Sequence, residues 1–454
     1  MAARRVRDVL GVLIPWLLPS SGKILVFNND LTNIESCWSP FHPGIATSGP
    51  PFTLNMLNAS VTETANRGFD VHELAPGCCY VPWWNNSSAI TIAEHVEWWT
   101  HTFYKKDGSL PPNRTEGYME HLMKGGDILG PFITYARASA MKAFISWRMA
   151  DSQAFANYAT RPLEDQFKDT AKFWYENRYN ATMGLHFNGH YWTAQNWMVK
   201  EVRTYKMTLL QEIITRYKPD GISLDFLRAP DFFNLTTTCS ADRHATMGAW
   251  VRQLKQHMVA GGVTALSARV PPHISVLDAI GLDLAGLTAD GTLDFVTFGI
   301  NYYSFMMMDS DVSAIAQRLP HNFLTLWEVS YAERAKRSST CPHGPDQRMT
   351  AAHLTTSAHQ AYAFGGVSGI ASFNFQYYRK FADKPCMERE NEPYSEPPYD
   401  VLAALKDPDY VARQHQFYWS NSNVACTPGC EKTFLLAPPA ADMAWQRGAE
   451  GGAG

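Results

Sequence analysis

Eight short apolar runs recur along the chain between Lys23 and Asn374, with helix-length segments between them. The runs cover residues 23–27, 69–73, 142–147, 221–225, 263–269, 293–300, 324–328 and 369–374. Strands that alternate with helices imply parallel pairing, because each helix carries the chain back to the starting edge of the sheet. Eight such units are enough to close a (β/α)8 barrel. The expected fold is an α/β TIM barrel over residues 23–400 with long loop insertions. A short irregular C-terminal extension over 401–454 ends in a Gly/Ala tail.

The clearest helix is expected from about Gln195 to Tyr217. Met198, Val202, Tyr205, Leu209 and Ile213 follow at spacings of three or four, which places them on one helical face. Pro219, Asp220 and Gly221 then stop the helix. An open doubly wound sheet shows the same alternation and ranks second. No Gly-x-Gly-x-x-Gly follows the first run, and the phosphate-cradling Gly-x-x-x-x-Gly-Lys-Ser/Thr is absent. Nucleotide chemistry is therefore not indicated, and no cofactor is implied.

Barrel enzymes keep their chemistry at the C-terminal ends of the strands. The polar residues at those ends are Asn28, Asn29, Asp30, Glu73, Arg148, Asp151, Asp225, Arg228, Arg269, Asn301 with the nearby Tyr303, Glu328 and Asn374. Strand ends that served stability alone would not need so many carboxylates, arginines and amides. Substrate binding is the economical reason for them.

Asp225 ends the run Gly221–Asp225 and shares strand parity with Ser223, so both are expected to face the barrel axis. Arg228 lies just beyond and is positioned to orient or ionise it. A structural salt bridge is the plainer role for such an Asp. Glu328 ends the seventh run, where a capping role is the plainer alternative. Together the two form the pair that glycoside hydrolysis requires. One carboxyl protonates the leaving oxygen, and the other attacks the sugar or activates water. Asp225 suits the ionised role. Glu328, next to Trp327 in sequence, suits the acid, and the opposite assignment ranks close behind. Glu73, Asp30 and Asp151 stand in reserve.

Four segments carry a resemblance: Lys142–Asp151, Val202–Leu210, Asp220–Arg228 and Ser267–Pro271. They resemble the glycoside-hydrolase-like barrel proteins related to family-ten-like glycosidases, over about Lys23 to Tyr418. Asp-Gly-Ile-x-Leu-Asp-Phe-x-Arg is the most specific run. The resemblance implies a (β/α)8 barrel that acts on polysaccharide, with Asp225 and Arg228 in its central motif. It leaves the substrate open. Some such proteins carry a further C-terminal β-domain that this sequence does not show.

Trp83 and Trp84 are candidate sugar-stacking platforms, as are Trp98 and Trp99, with core or lid packing as the alternative. His186 and His190 flank Asn188-Gly189, a turn signal that favours a substrate loop over a metal site. No metal ligand set can be assembled.

The first 22 residues read as a secretory leader, with Arg4, Arg5 and Arg7 before the apolar run Val9–Leu18 and a small-residue exit. That run is too short to span a bilayer. Asn-x-Ser/Thr occurs at Asn58, Asn85, Asn86, Asn113, Asn180 and Asn234, and the cysteine count is an even 8. Cys426 and Cys430 are spaced for a tight local disulfide. These features agree on a secreted, oxidised glycoprotein. With 39 basic against 43 acidic residues, no concentrated basic charge points to nucleic acid. The expected partner is a carbohydrate substrate. The functions in play are a secreted glycoside hydrolase, a carbohydrate-binding barrel without catalysis, and a barrel hydrolase or lyase of another bond type. A barrel without catalysis is expected to tie Asp225 into a closed salt bridge.

Overall fold

The computed structural model of the chain describes residues 23–36, 52–78, 81–82, 84, 87–88, 118–149, 184–185, 194–227, 232–299, 310–334, 346–383 and 396–416. Its centre is a ring of eight strands: β1 (Ile24–Asp30), β2 (Val71–Ala75), β3 (Lys142–Arg148), β4 (Gly221–Asp225), β5 (Ala265–Val270), β6 (Phe295–Phe298), β7 (Leu324–Ser330) and β8 (Gly369–Phe373). Neighbours in sequence pair in parallel, and β8 returns to β1, so the barrel is closed. Each apolar run supplies one strand. The closed ring also disposes of the open-sheet alternative.

Helices follow the strands in turn: α1 (Leu54–Ala65), α2 (Leu129–Ala138), α3 (Lys200–Arg216), α4 (Ser240–Gly261), α5 (Leu284–Ala289), α6 (Val312–Ala316), α7 (Ala351–Gln360) and α8 (Tyr399–Ala404). The expected helix over 195–217 starts later, at Lys200. Asn196 opens a turn instead, its side chain and carbonyl receiving the N–H groups of Met198 and Val199. Val202, Leu209 and Ile213 bury as the spacing predicts, while Met198 sits outside the helix and exposed.

The period of two along each strand divides the side chains between two cores. Ile24, Val26, Val71, Phe144, Ala265, Phe295, Leu326 and Ala371 face inward and plug the barrel floor. Leu25, Phe27, Leu74, Ile145, Leu224, Leu266, Phe298, Trp327 and Ile370 face outward and pack under the helices. Gly221 leaves room for the plug, since a Cβ there would stand 2.3 Å from Cζ of Phe144. Burying such a ring contributes ~1.5–3 kcal/mol.

The last described residues pack on this layer. The Tyr399 hydroxyl donates to Glu63 on α1 at 2.7 Å. Lys406 Nζ reaches both oxygens of Asp70, just before β2, at 2.8 and 2.7 Å. Among the described residues no helix is long and apolar enough to cross a membrane.

Of the sequons, Asn58 is exposed on α1, and Asn234 sits in a turn with its Oδ1 receiving the N–H and hydroxyl of Thr236. Cys239 is a free, exposed thiol whose Sγ donates to Asp242. The leader, the other four sequons and the side chains of the remaining cysteines lie outside the described residues.

Candidate active site

Above the floor the inward positions turn polar. The parity of Val26 continues to Asn28 and Asp30, and that of Val71 to Glu73. Phe144 is followed by Ser146 and Arg148, Ala265 by Ser267 and Arg269, and Leu326 by Glu328 and Ser330. A floor of apolar layers under a polar upper layer is what a barrel needs to be both packed and functional.

Arg269 organises that upper layer. Its Nη1 donates to Asp225 Oδ2 at 2.9 Å. Its Nε and Nη2 donate to Glu328 Oε2 and Oε1 at 2.5 and 2.6 Å. The guanidinium lies 4.0 Å from the ring centroid of Phe373, so it is stacked as well as forked. All three side chains are buried. The other Asp225 oxygen receives the N–H of Leu227 at 2.9 Å. Both oxygens therefore accept, the pattern of an ionised carboxylate. The guanidinium expected beside Asp225 was that of Arg228; Arg269, from the neighbouring strand, fills the place, and Arg228 lies outside the described residues.

Burial pushes the Glu328 carboxyl up, opposed by the charge and hydrogen bonds of Arg269. Burial alone would lower the Arg269 pKa, but Asp225 and Glu328 outweigh it and the group ends raised. With both its oxygens taken by a guanidinium that keeps its proton, Glu328 rests as the carboxylate. Trp327 is no neighbour of that carboxyl. It points outward, and its indole N–H donates to Ser357 on α7 at 2.9 Å. Gly299, just after β6, lies against the same group: a Cβ there would meet Glu328 Oε1 at 2.7 Å.

Glu73 enters from β2. Its Oε2 accepts from Asn28 Nδ2 at 2.6 Å, and Ser223 bonds the same carboxyl. Its Oε1 is buried with no hydrogen-bond partner. Burial dominates its titration and pushes it up to about 8, against the pull of Asn28, Ser223 and Arg269 and with a push from Glu328. A second ion pair sits beside this cluster. Arg148 Nη2 donates to Asp30 Oδ1 at 2.5 Å. Asn374, at φ 56°, clamps Asp30 from the other side, its Nδ2 donating to Oδ2 and its Oδ1 receiving the Asp30 N–H.

The structure thus brings together Asn28, Asp30, Glu73, Arg148, Asp225, Arg269, Glu328 and Asn374. Two expected sugar contacts are corrected. Asn29 has the opposite parity to Asn28 and Asp30, and it bonds Gln376 and Asn33 on the helical side. Trp84 is fully buried, donates to Glu212 of α3 and packs against Trp147. It is core, not a stacking platform. Asp151, Arg228, Asn301, Tyr303 and Trp83 lie outside the described residues. Phe373 and Gly299 were not anticipated; their signal was position alone, at the ends of the eighth and sixth runs. Among the described residues, no group of three His, Cys, Asp or Glu could hold a metal ion.

No protein-family model matches the chain, and no curated protein matches its sequence. Solved structures similar to it include a noncanonic maltogenic alpha-amylase from Thermotoga neapolitana, at 7% identity over 87% of this chain and 77% of that one, with a TM-score of 0.42. A glycoside hydrolase family 20 beta-N-acetylglucosaminidase matches at 10% identity over 84% and 68%, with a TM-score of 0.43. An alpha-amylase from Geobacillus thermoleovorans, complexed with acarbose, matches at 11% identity over 86% and 79%, with a TM-score of 0.40. No side chain of the site is assigned from these likenesses.

Proposed function

We propose that the chain is a secreted glycoside hydrolase that cleaves a polysaccharide or oligosaccharide at the mouth of the barrel. One observation carries this reading. Inward-facing carboxyl groups from three strands, Glu73, Asp225 and Glu328, gather round the Arg269 guanidinium at the C-terminal ends of the strands. Glycosidic cleavage needs a carboxyl that gives a proton to the leaving oxygen and a carboxylate that meets the positive charge developing on the sugar. Asp225 fits the second role, because Leu227 and Arg269 hold both its oxygens as acceptors in a fixed orientation. The leader and the sequons support secretion, and the family-ten-like resemblance supports a polysaccharide substrate.

A second reading is favoured by the same trio: carbohydrate binding without cleavage, since Asp225 is tied into a closed ion pair. Release of reducing ends from a panel of plant, fungal and bacterial polysaccharides separates the two. The hydrolase reading expects at least one polymer to be shortened by the wild-type protein. Binding to a polymer that stays intact supports the second.

A further inference from the structure

We infer that Glu73 on β2, and not Glu328, is the proton donor of the reaction. The inference rests on the hydrolase reading above and names a residue for its acid step.

The geometry separates the two glutamates. Glu328 has no oxygen to spare, because Arg269 occupies both. A proton placed there would displace one bond of a buried fork, which leaves a charge without its partner. Glu73 is arranged the other way. It faces inward and is 2% exposed, with Asn28 on Oε2, Ser223 bonding the same carboxyl and Oε1 without a hydrogen-bond partner. A buried carboxylate with a bare oxygen is costly, whereas the neutral acid removes the charge and has an O–H to give. The groups that face it are Asn28 from β1, Ser223 from β4, Arg269 from β5 and Glu328 from β7. The one cation among them is already committed to Asp225 and Glu328. The upward shift of Glu73 to about 8 agrees with this placement. The polar upper layer of the barrel then holds a neutral acid on β2 and a carboxylate on β4, the division of states that such chemistry uses.

In the step itself, the bond between the anomeric carbon and the leaving oxygen breaks, and its electron pair goes to that oxygen. The proton of Glu73 caps it. The Asp225 carboxylate meets the positive charge that develops on the anomeric carbon. A water oxygen supplies the electron pair for the new bond to that carbon, directly or by way of an Asp225 ester, and the proton the water gives up restores the acid.

Wild type, Glu73→Gln and Glu328→Gln are compared on two probes: cello-, xylo-, malto- and chito-oligosaccharides, and dinitrophenyl glycosides of the same sugars. The dinitrophenolate leaves without protonation. Glu73→Gln is expected to lose on the order of 10²-fold or more in kcat/KM on the oligosaccharide but less than about tenfold on the aryl glycoside. Glu328→Gln is expected to lose alike on both. In wild type, activity on the oligosaccharide falls above about pH 8, with no such limb on the aryl glycoside. That wild-type profile decides the matter even if a variant does not fold. Equal losses in Glu73→Gln, the selective pattern in Glu328→Gln, or an alkaline limb shared by both probes overturns the assignment. A wild type inert on every probe overturns the hydrolase reading and this inference with it. An active wild type with an unimpaired Glu73→Gln overturns this inference alone.

Discussion

Arg269 holds Glu328 by both carboxylate oxygens, at 2.5 and 2.6 Å, across β6 and inside a closed barrel. The same guanidinium takes Asp225 from the other side. The separation of the two carboxylates is therefore set by the width of one planar group. Truncating the cation strands two buried charges, a change that typically costs ~3–5 kcal/mol. Arg269→Met is expected to destabilise by about that much at pH 7. The cost should shrink towards pH 4, where the stranded carboxyls take up protons. Urea unfolding at the two pH values checks this, and an equal cost at both contradicts it.

Gly299→Ala should harm activity more than stability. The new methyl meets Glu328 Oε1 and the Leu227 side chain, so the carboxylate must swing out of the Arg269 fork. Overpacking of this kind costs ~1–3 kcal/mol. Thermal melts beside turnover per folded molecule measure both; an unchanged turnover would show that the fork is not needed.

Glu73 makes stability depend on pH in a stated direction. Its folded pKa of about 8 lies above its ordinary value of 4.5. Below 4.5 the group is neutral in both states and costs nothing. As pH rises through the window from 4.5 to 8, the unfolded chain ionises first and stability is lost. Glu73→Gln removes that loss, so its melting temperature relative to wild type should climb from pH 4.5 to pH 8. A flat difference across the window contradicts the buried neutral carboxyl.

Trp84→Ala is expected to cost ~3–5 kcal/mol of stability, the usual range for removing a buried Trp. Its indole fills the space beside Trp147 and Glu212, away from the barrel interior. Oligosaccharide affinity per folded molecule should not change, which isothermal titration checks.

The barrel is legible in the sequence because eight short apolar runs, each long enough for one strand buried on both faces, are spaced by helix-length segments. The meeting of Asp225 and Glu328 is legible because both end a run, and strand ends converge in a barrel. The role of Arg269 is not legible. Its reach past β6 to Glu328 depends on side-chain length and on the stagger of the strands, which no spacing along the chain records. Asn29 was misplaced by a single step of parity. Trp327 precedes Glu328 in sequence but not in space, because adjacent residues of a strand face opposite sides.

The most direct test is Asp225→Asn, assayed on whichever polymer the wild type shortens best. The substitution keeps the size of the side chain and one acceptor for Arg269, but removes the charge that meets the sugar cation. Asp225→Asn is expected to lose on the order of 10²-fold or more in kcat/KM, with polymer binding retained and a melting curve that still reports a folded barrel. Cleavage by Asp225→Asn at the wild-type rate would contradict it.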